Sequence, residues 1–389
     1  MKKIFSLFIV IFSLCVVVSS TLAEEKTAPQ KDELPLVDIS RDVWRQTVIA
    51  EGTPDVYQGH PTTLLLNDGK TLFCVWTVQH GGPCRPMAKS EDGGKTWVRQ
   101  DELLPEVYGK THRNCPTLQR IVSPDGKTER FFIFSSKGGK LGSIVSEDQG
   151  KTWREVEPAN LSAGMPPTGL IRLKDGTTAL FGQVRNDPNV KTDRAADDQS
   201  IWMAVTSDGG FTWSEPRVVA MADQKNLCEP FVLRSDDGNE LCLLMRENRH
   251  TDRSMMCFSR DEGKTWTKPE NTCWGLCGDR HEGIQAPDGR WVIAFRDRAP
   301  GSSTYGQFVA WVGTYDDIRN GKPGQFRIHL LQHYGEKGWA SCDTGYSGME
   351  LLADGNILAT TYTKHWPDAR KHSVVCTRFK LDEISPVTK

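Results

Sequence analysis

"SEDGGKTW" occupies residues 90–97, and the chain repeats it as "SEDQGKTW" from Ser146, "TSDGGFTW" from Thr206 and "SRDEGKTW" from Ser259. Each copy has an Asp able to bond backbone amides, a Gly for the bend and a Trp to pack between neighbouring layers, so each reads as a self-contained structural clip. A second repeat gives these clips their place. Six times an apolar run meets Asp-Gly and a further apolar run follows, as in "LLLNDGKTLFCVW", "VLRSDDGNELCLLM" and "LLADGNILATTY". Asp-Gly between two such runs signals a β-hairpin, because glycine supplies the positive φ that a tight twisted turn needs. The turn aspartates are Asp68, Asp125, Asp175, Asp237, Asp288 and Asp354, a spacing of roughly fifty to sixty residues that suits four strands per repeat. The fold class expected is therefore all-β, a six-bladed β-propeller with four-stranded blades. The clips fall between the third and fourth strands of blades one to four. "WVGTYDDIRNGKPGQF" and "KHSVVCTRFKL" replace them in blades five and six, and "DVWRQTVIAEG", residues 42–52, supplies the last strand that closes the ring.

The ends and the composition set the context. Residues 1–23, "MKK" then "IFSLFIVIFSLCVVV" then "SSTLA", have the basic start, apolar middle and small-residue end of a secretory signal, with cleavage expected after Ala23. A lipid anchor on Cys15 is disfavoured by the bulk of Leu14, and the run is short for a membrane span. A secreted or periplasmic location follows, with no membrane span in the mature chain. Residues 24–40 are rich in Pro and charge and read as a linker, and residues 41–389 form one propeller domain, expected to be a monomer. A net charge of -2 with no basic stripe gives no footprint for nucleic acid. Ten cysteines besides Cys15 predict one or two disulfides, since Cys74, Cys242, Cys257 and Cys376 lie in apolar strand-like runs. Cys273 and Cys277 in "CWGLC" have no second ligand pair nearby, which makes zinc the weaker reading against a local disulfide or plain packing. No metal and no cofactor is expected.

A propeller's natural site is the mouth of its central channel. Counting eight residues back from each turn Asp reaches His60, Pro167, Glu229, Arg280 and Tyr346, with Asn114 or Cys115 in blade two. Ordinary strand ends would be small or apolar there, so His, Glu, Arg and Tyr point to a polar pocket; a hydrogen-bonded plug is the bland alternative.

The signal peptide, the four Asp-box turns and the six blades together resemble the sialidase superfamily over most of the mature chain. "TGYSGMELLADGNILATTY" is similar to the last-blade motif of that family, and "NLCEPFVLRSDDGNELCLLMREN" to its fourth-blade motif. The resemblance implies Tyr346 as nucleophile, Glu229 as its base and Arg246 as a clamp for a substrate carboxylate, with a further arginine, Arg296 ahead of Arg298, from "FRDRAPGSSTYG". A neutral phenol is the nucleophile suited to an anomeric centre that bears a carboxylate, which would repel an Asp or Glu. Arginine suits that carboxylate through its planar fork of donors.

The first blade departs from the pattern. "YQGHPTTLLL" has His60 where the family has an arginine, and the loop "TVQHGGPCRPMAKS" lacks the family's acid/base aspartate. It offers instead His80 as the proton donor and Arg85 as a replacement clamp. His112, Arg113, Glu247, His281, Glu282, Asp297 and Lys364 are further polar residues expected round the mouth, and residues 185–199 a charged loop that overhangs it. The function expected is hydrolysis of a terminal acidic sugar, sialic acid or a relative, from a glycan. A histidine-based polysaccharide lyase or unusual glycosidase is the second reading, and a glycan-binding propeller without catalysis the third.

Overall fold

A computed structural model describes residues 34–185, 198–335 and 343–386 of the chain. The expected signal peptide, most of the expected linker and most of the charged stretch 185–199 lie outside the described residues. The strands form six sheets, and each of blades one to five runs outward in chain order from an inner strand. Blade one comprises Gln58–Leu65, Leu72–Val78, Met87–Ser90 and Val98–Arg99. Its counterparts begin on the inner strands Arg113–Val122, Gly169–Arg172, Leu227–Arg234 and Gly278–Gln285. Blade six runs Ser347–Leu351, Ile357–Thr363 and Ser373–Phe379, and its outermost strand is Gln46–Ala50 from the start of the domain, paired antiparallel to Ser373–Phe379. Joining the two chain ends in one sheet ties the last blade to the first and closes the ring, an arrangement that leaves each blade only short, protected edges. Leu36–Asp38, within the stretch that reads as linker, adds a parallel fifth strand to blade five beside Phe326–Leu331.

The strands read as apolar because each blade is covered on both faces. Leu241–Glu247, for example, is buried along its whole length. Six apolar clusters form, one at each interface between adjacent blades; Phe73 and Val75 of blade one meet Phe131 and Ile133 of blade two in one of them. Each clip tryptophan enters such an interface. Trp153 joins the cluster of blades one and two, and Trp266 meets Phe181 of blade three edge-on at 5.8 Å. The clips work as the residue types require. At Ser259–Trp266, Asp261 accepts from the Thr265 amide (2.8 Å) and hydroxyl (2.6 Å), the Gly263 amide donates to Ser259 Oγ (2.8 Å), and the Trp266 indole donates to the Gly263 carbonyl (3.0 Å). The nine described cysteines other than Cys15 and Cys342 are free and buried, Cys273 and Cys277 included, so the disulfides expected among them are not formed. Cys74, Cys84, Cys242, Cys257, Cys273 and Cys376 pack as small apolar groups inside the blade interfaces.

Hydroxyls stitch the inner strands together round the channel. Thr62 donates to the Pro116 carbonyl (3.0 Å), Thr117 to that of Pro167 (2.8 Å) and Thr168 to that of Pro230 (2.6 Å), linking blades one to four in sequence. These bonds hold the heads of the inner strands in fixed relation, and those heads carry the site.

Candidate active site

The inner strands do not start regularly. His60, Asn114, Glu229 and Arg280 have φ of 55°, 67°, 51° and 55°. The pairing register of each strand shifts across that residue, between Gly59 and Thr62, Arg113 and Thr117, Cys228 and Phe231, and Asp279 and Glu282. Each is a bulge that re-aims one side chain, and a non-glycine residue in the left-handed region costs about 1–3 kcal/mol. Four such bulges at equivalent places in four blades put the same kind of strain at one end of the ring. Gly345, with φ 94°, turns the chain into Tyr346 in blade six.

Two of these heads meet, joined by Arg246 from the second strand of blade four, Leu241–Glu247. The Tyr346 hydroxyl donates to Glu229 Oε1, and Arg246 Nη1 reaches Tyr346 Oη at 3.2 Å and the two Glu229 oxygens at 3.3 and 3.2 Å. Tyr346, Glu229 and Arg246 are all buried, and burial together with the Glu229 charge pushes the Tyr346 phenol well above its ordinary pKa. The phenol is thus held protonated, with its acceptor already in contact. Arg280 and Arg296 cover the Tyr346 ring, their guanidinium carbons 5.0 and 5.4 Å from its centroid. Arg280 is buried, and its Nε and Nη1 make no hydrogen bond among the described residues.

One carboxylate anchors the arginines. Asp279, fully buried, lies 3.0 Å from Arg246 Nε, 3.6 Å from Arg296 Nε, 2.6 Å from Arg298 Nε and 2.9 Å from His250 Nε2. Burial alone would raise its pKa, but Arg246, His250, Arg296 and Arg298 hold it well below the usual carboxylate range. Arg246 is therefore engaged by two carboxylates, which alters its expected part as a free substrate clamp.

On the other side of Tyr346 lies an aromatic and histidine cluster. The His60 ring is 5.3 Å from Tyr346, 4.7 Å from His80 and 4.7 Å from Tyr362. Thr77 Oγ1 donates its proton to the Gly59 carbonyl at 3.0 Å, so its 3.1 Å contact with His60 Nδ1 is one in which histidine donates. Nε2 is left as the unprotonated nitrogen, and burial pushes the His60 pKa well down. Tyr57 and Tyr362 donate to the two oxygens of Asp343 at 2.9 and 2.8 Å, and His80 Nδ1 stands 3.5 Å from Asp343 and 3.3 Å from Tyr57 Oη. His60, His80 and Asp343 also bring one ligand atom each within 4.8 Å of one another, the spacing of a group able to gather round a metal ion.

Comparison with known proteins agrees with this architecture. Residues 140–301 match the BNR repeat-like domain family. The chain is 23% identical over 174 residues to a sialidase of Bacteroides fragilis (strain YCH46), an alignment covering 43% of this chain and spanning only 29% of that relative. Among solved structures, the α-L-arabinofuranosidase of Fusarium graminearum superposes with a TM-score of 0.64 at 15% identity, over 88% of this chain and 99% of that one. The intramolecular trans-sialidase of Ruminococcus gnavus does so with 0.55 at 14%, over 88% and 98%.

The chain is a six-bladed β-propeller that resembles BNR-repeat and sialidase proteins.

Several residues expected at the mouth of this propeller stand elsewhere. Arg85 is exposed and lies against Gly109 of the short helix Glu106–Thr111, so it does not supply the arginine missing from the first blade. Its loop is anchored the other way, by the Cys84 amide on the His112 carbonyl. His112 is buried in blade two, 2.6 Å from Ser135 Oγ and 3.0 Å from Glu155, and serves packing there. His281 bonds the Leu276 carbonyl at 2.9 Å, and Glu247 receives the amides of Asn226 and Thr251 at 3.1 Å each, so both are structural. Asp297 pairs with Arg327 at 2.8 Å. Asp279, Asp343, Tyr57 and Tyr362 were not singled out in the sequence. Asp279 immediately precedes Arg280 and Asp343 stands three residues before Tyr346, so adjacency to a strand head was the signal available.

Proposed function

We propose that the propeller is an exported glycoside hydrolase that removes a terminal acidic sugar, with Tyr346 as nucleophile and Glu229 as its base. The observation that carries this reading is the buried hydrogen bond from the Tyr346 hydroxyl to Glu229 Oε1, made between residues 117 apart in the chain. A phenol attacks only as its proton leaves, and Glu229 is in place to take it. Arg246 bridges both groups and balances the negative charge that passes between them. The open N–H groups of Arg280 beside the Tyr346 ring suit an anionic substituent at the reacting carbon, with Arg296 as its neighbour. His80, whose side chain is 64% exposed, stands where the cluster meets solvent and is the group suited to protonate a leaving oxygen.

One observation favours a second reading. The neutral, unprotonated Nε2 of His60 is a base in a site rich in arginine, which is what abstraction of a proton next to a uronic carboxylate needs. Product analysis separates the two. The mature chain is incubated with 4-methylumbelliferyl α-N-acetylneuraminide and with acidic polysaccharides. Sugar release that falls at least ~10³-fold in Tyr346→Phe, and whose KM rises in Arg280→Gln, supports the hydrolase. A product absorbing as an unsaturated uronide, lost in His60→Ala, establishes the lyase instead.

A further inference from the structure

We infer that Asp343 is the positioning residue for His80, so that the proton donor of this site is a His80–Asp343 pair assembled from blades one and six. The inference rests on the hydrolase reading for its consequence, but its geometry stands independently of it. The stretch 77–90 that carries His80 contains no carboxylate. Blade six supplies one across the ring junction, from the residues leading into Tyr346.

The hydrogen bonds decide the tautomer. Tyr57 spends its hydroxyl proton on Asp343 Oδ2 at 2.9 Å, so its oxygen accepts from His80 Nδ1 at 3.3 Å, and Asp343 Oδ2 faces the same nitrogen at 3.5 Å. Nδ1 therefore carries a proton that Asp343 and Tyr57 hold. Nε2 of His80 is left to exchange its own proton with a ligand. Tyr362, by donating to Oδ1 at 2.8 Å, fixes the second carboxylate oxygen and hence the plane of the pair. His60 stands edge-on to His80 with ring centroids 4.7 Å apart, which sets the tilt of the imidazole.

The charges facing His80 set its proton affinity. The Asp343 carboxylate raises its pKa above the ordinary histidine value, against partial burial and the more distant positive charge of Arg296. His60 is neutral through burial. His372 and His333, behind Asp343 and near Lys364, are pushed down to about 4 and about 3, chiefly by burial, so neither competes as a cation at neutral pH. Asp343 itself stays ionised: burial would raise it, but His80, His372 and Tyr362 hold it far below the usual range.

In the glycosylation step the bond from the anomeric carbon to Tyr346 Oη forms as the glycosidic C–O bond breaks. The phenol proton passes to Glu229, and the Nε2 proton of His80 passes to the departing oxygen. In the second step water attacks the anomeric carbon and gives one proton to His80 Nε2. Glu229 returns its proton to the leaving phenolate. Both half-reactions close without any further reactant.

The test reads the pair with and without a substrate. Imidazole signals of the full chain are titrated by NMR, with His80 assigned by its absence from a His80→Gln sample. His80 is expected to titrate above ~6.5 in the wild type and to fall by about one unit or more in Asp343→Asn. An Asp343→Asn protein whose His80 titrates unchanged overturns the inference. If that variant does not fold, Tyr57→Phe is the second probe, and a His80 pKa unmoved or raised by it overturns the bridge. Should a glycoside be cleaved, His80→Ala is expected to lose ~10²–10⁴-fold on an alkyl leaving group and far less on p-nitrophenyl. An equal loss on both overturns the proton-donor role. Absence of cleavage tells against the proposed hydrolase, while the titration still reports on the pair.

Discussion

Replacing Asp279 by Asn tests the electrostatic core of the site. The side chain is 1% exposed and carries ion pairs to Arg246, Arg296 and Arg298, whose own side chains are 7%, 4% and 7% exposed, together with His250. The substitution keeps the shape and one acceptor oxygen but takes a buried carboxylate charge away from three guanidinium groups that water barely reaches; of these, Arg246 keeps Glu229 as a second carboxylate partner. Removing one partner of a buried ion pair costs about 3–5 kcal/mol, because the partner left behind is an uncompensated buried charge. With an unfolding entropy of roughly 2.1 cal/mol/K per residue, a ring of about 350 residues loses about 4–7 °C in Tm for that amount. Asp316→Asn is the control. Asp316 pairs with Lys322 on the surface, the two side chains 65% and 53% exposed, where a pair contributes ~0–1 kcal/mol and the Tm is expected to move by about 1 °C or less. Differential scanning calorimetry compares the two variants, and a third measurement adds Arg298→Met to Asp279→Asn. Removing one stranded cation is expected to recover part of the loss, a coupling of roughly 0.5–3 kcal/mol. A drop in Asp279→Asn no larger than that of the control, or no recovery with Arg298→Met, would refute the view that one carboxylate balances the arginines of this site.

Two further outcomes follow from the fold. The clip aspartate Asp261 has its pKa lowered to about 2: burial works against the shift, while the Thr265 hydroxyl and amide and Ser259 produce it. A folded pKa below the unfolded ~3.9 means stability that is fully present above about pH 4 and lost as pH falls toward 2, so Asp261→Asn should flatten urea midpoints across that window, and an unchanged acid dependence would contradict the clip's role. The nine described thiols outside Cys15 and Cys342 are free and buried, so dithiothreitol should leave the Tm unchanged, and a fall of several degrees on reduction would indicate that a bridge holds the ring.

The ring could be read from residues alone because its signals are local. An Asp-Gly hairpin and an S-x-D-x-G-x-T-W turn each satisfy their own hydrogen bonds within eight residues, so their chemistry is complete in the sequence, and their repetition counts the blades. Tyr346, Glu229 and His60 were legible for a related reason: once the turns set the register, a fixed number of residues back marks the head of each inner strand. Other positions depended on contacts between blades. Arg85 and His112 have the residue types of a site, yet one lies on the surface beside Gly109 and the other is taken up by Ser135 and Glu155. Asp279 and Asp343 carry no local mark beyond standing next to a strand head. Their roles arise because the closed ring sets the end of blade five's inner hairpin against Arg246 of blade four, and the entry to blade six against His80 of blade one. Turn chemistry is decided by neighbours in the chain, whereas the charge balance of a buried site is decided by neighbours in space, and only the folded ring brings those together.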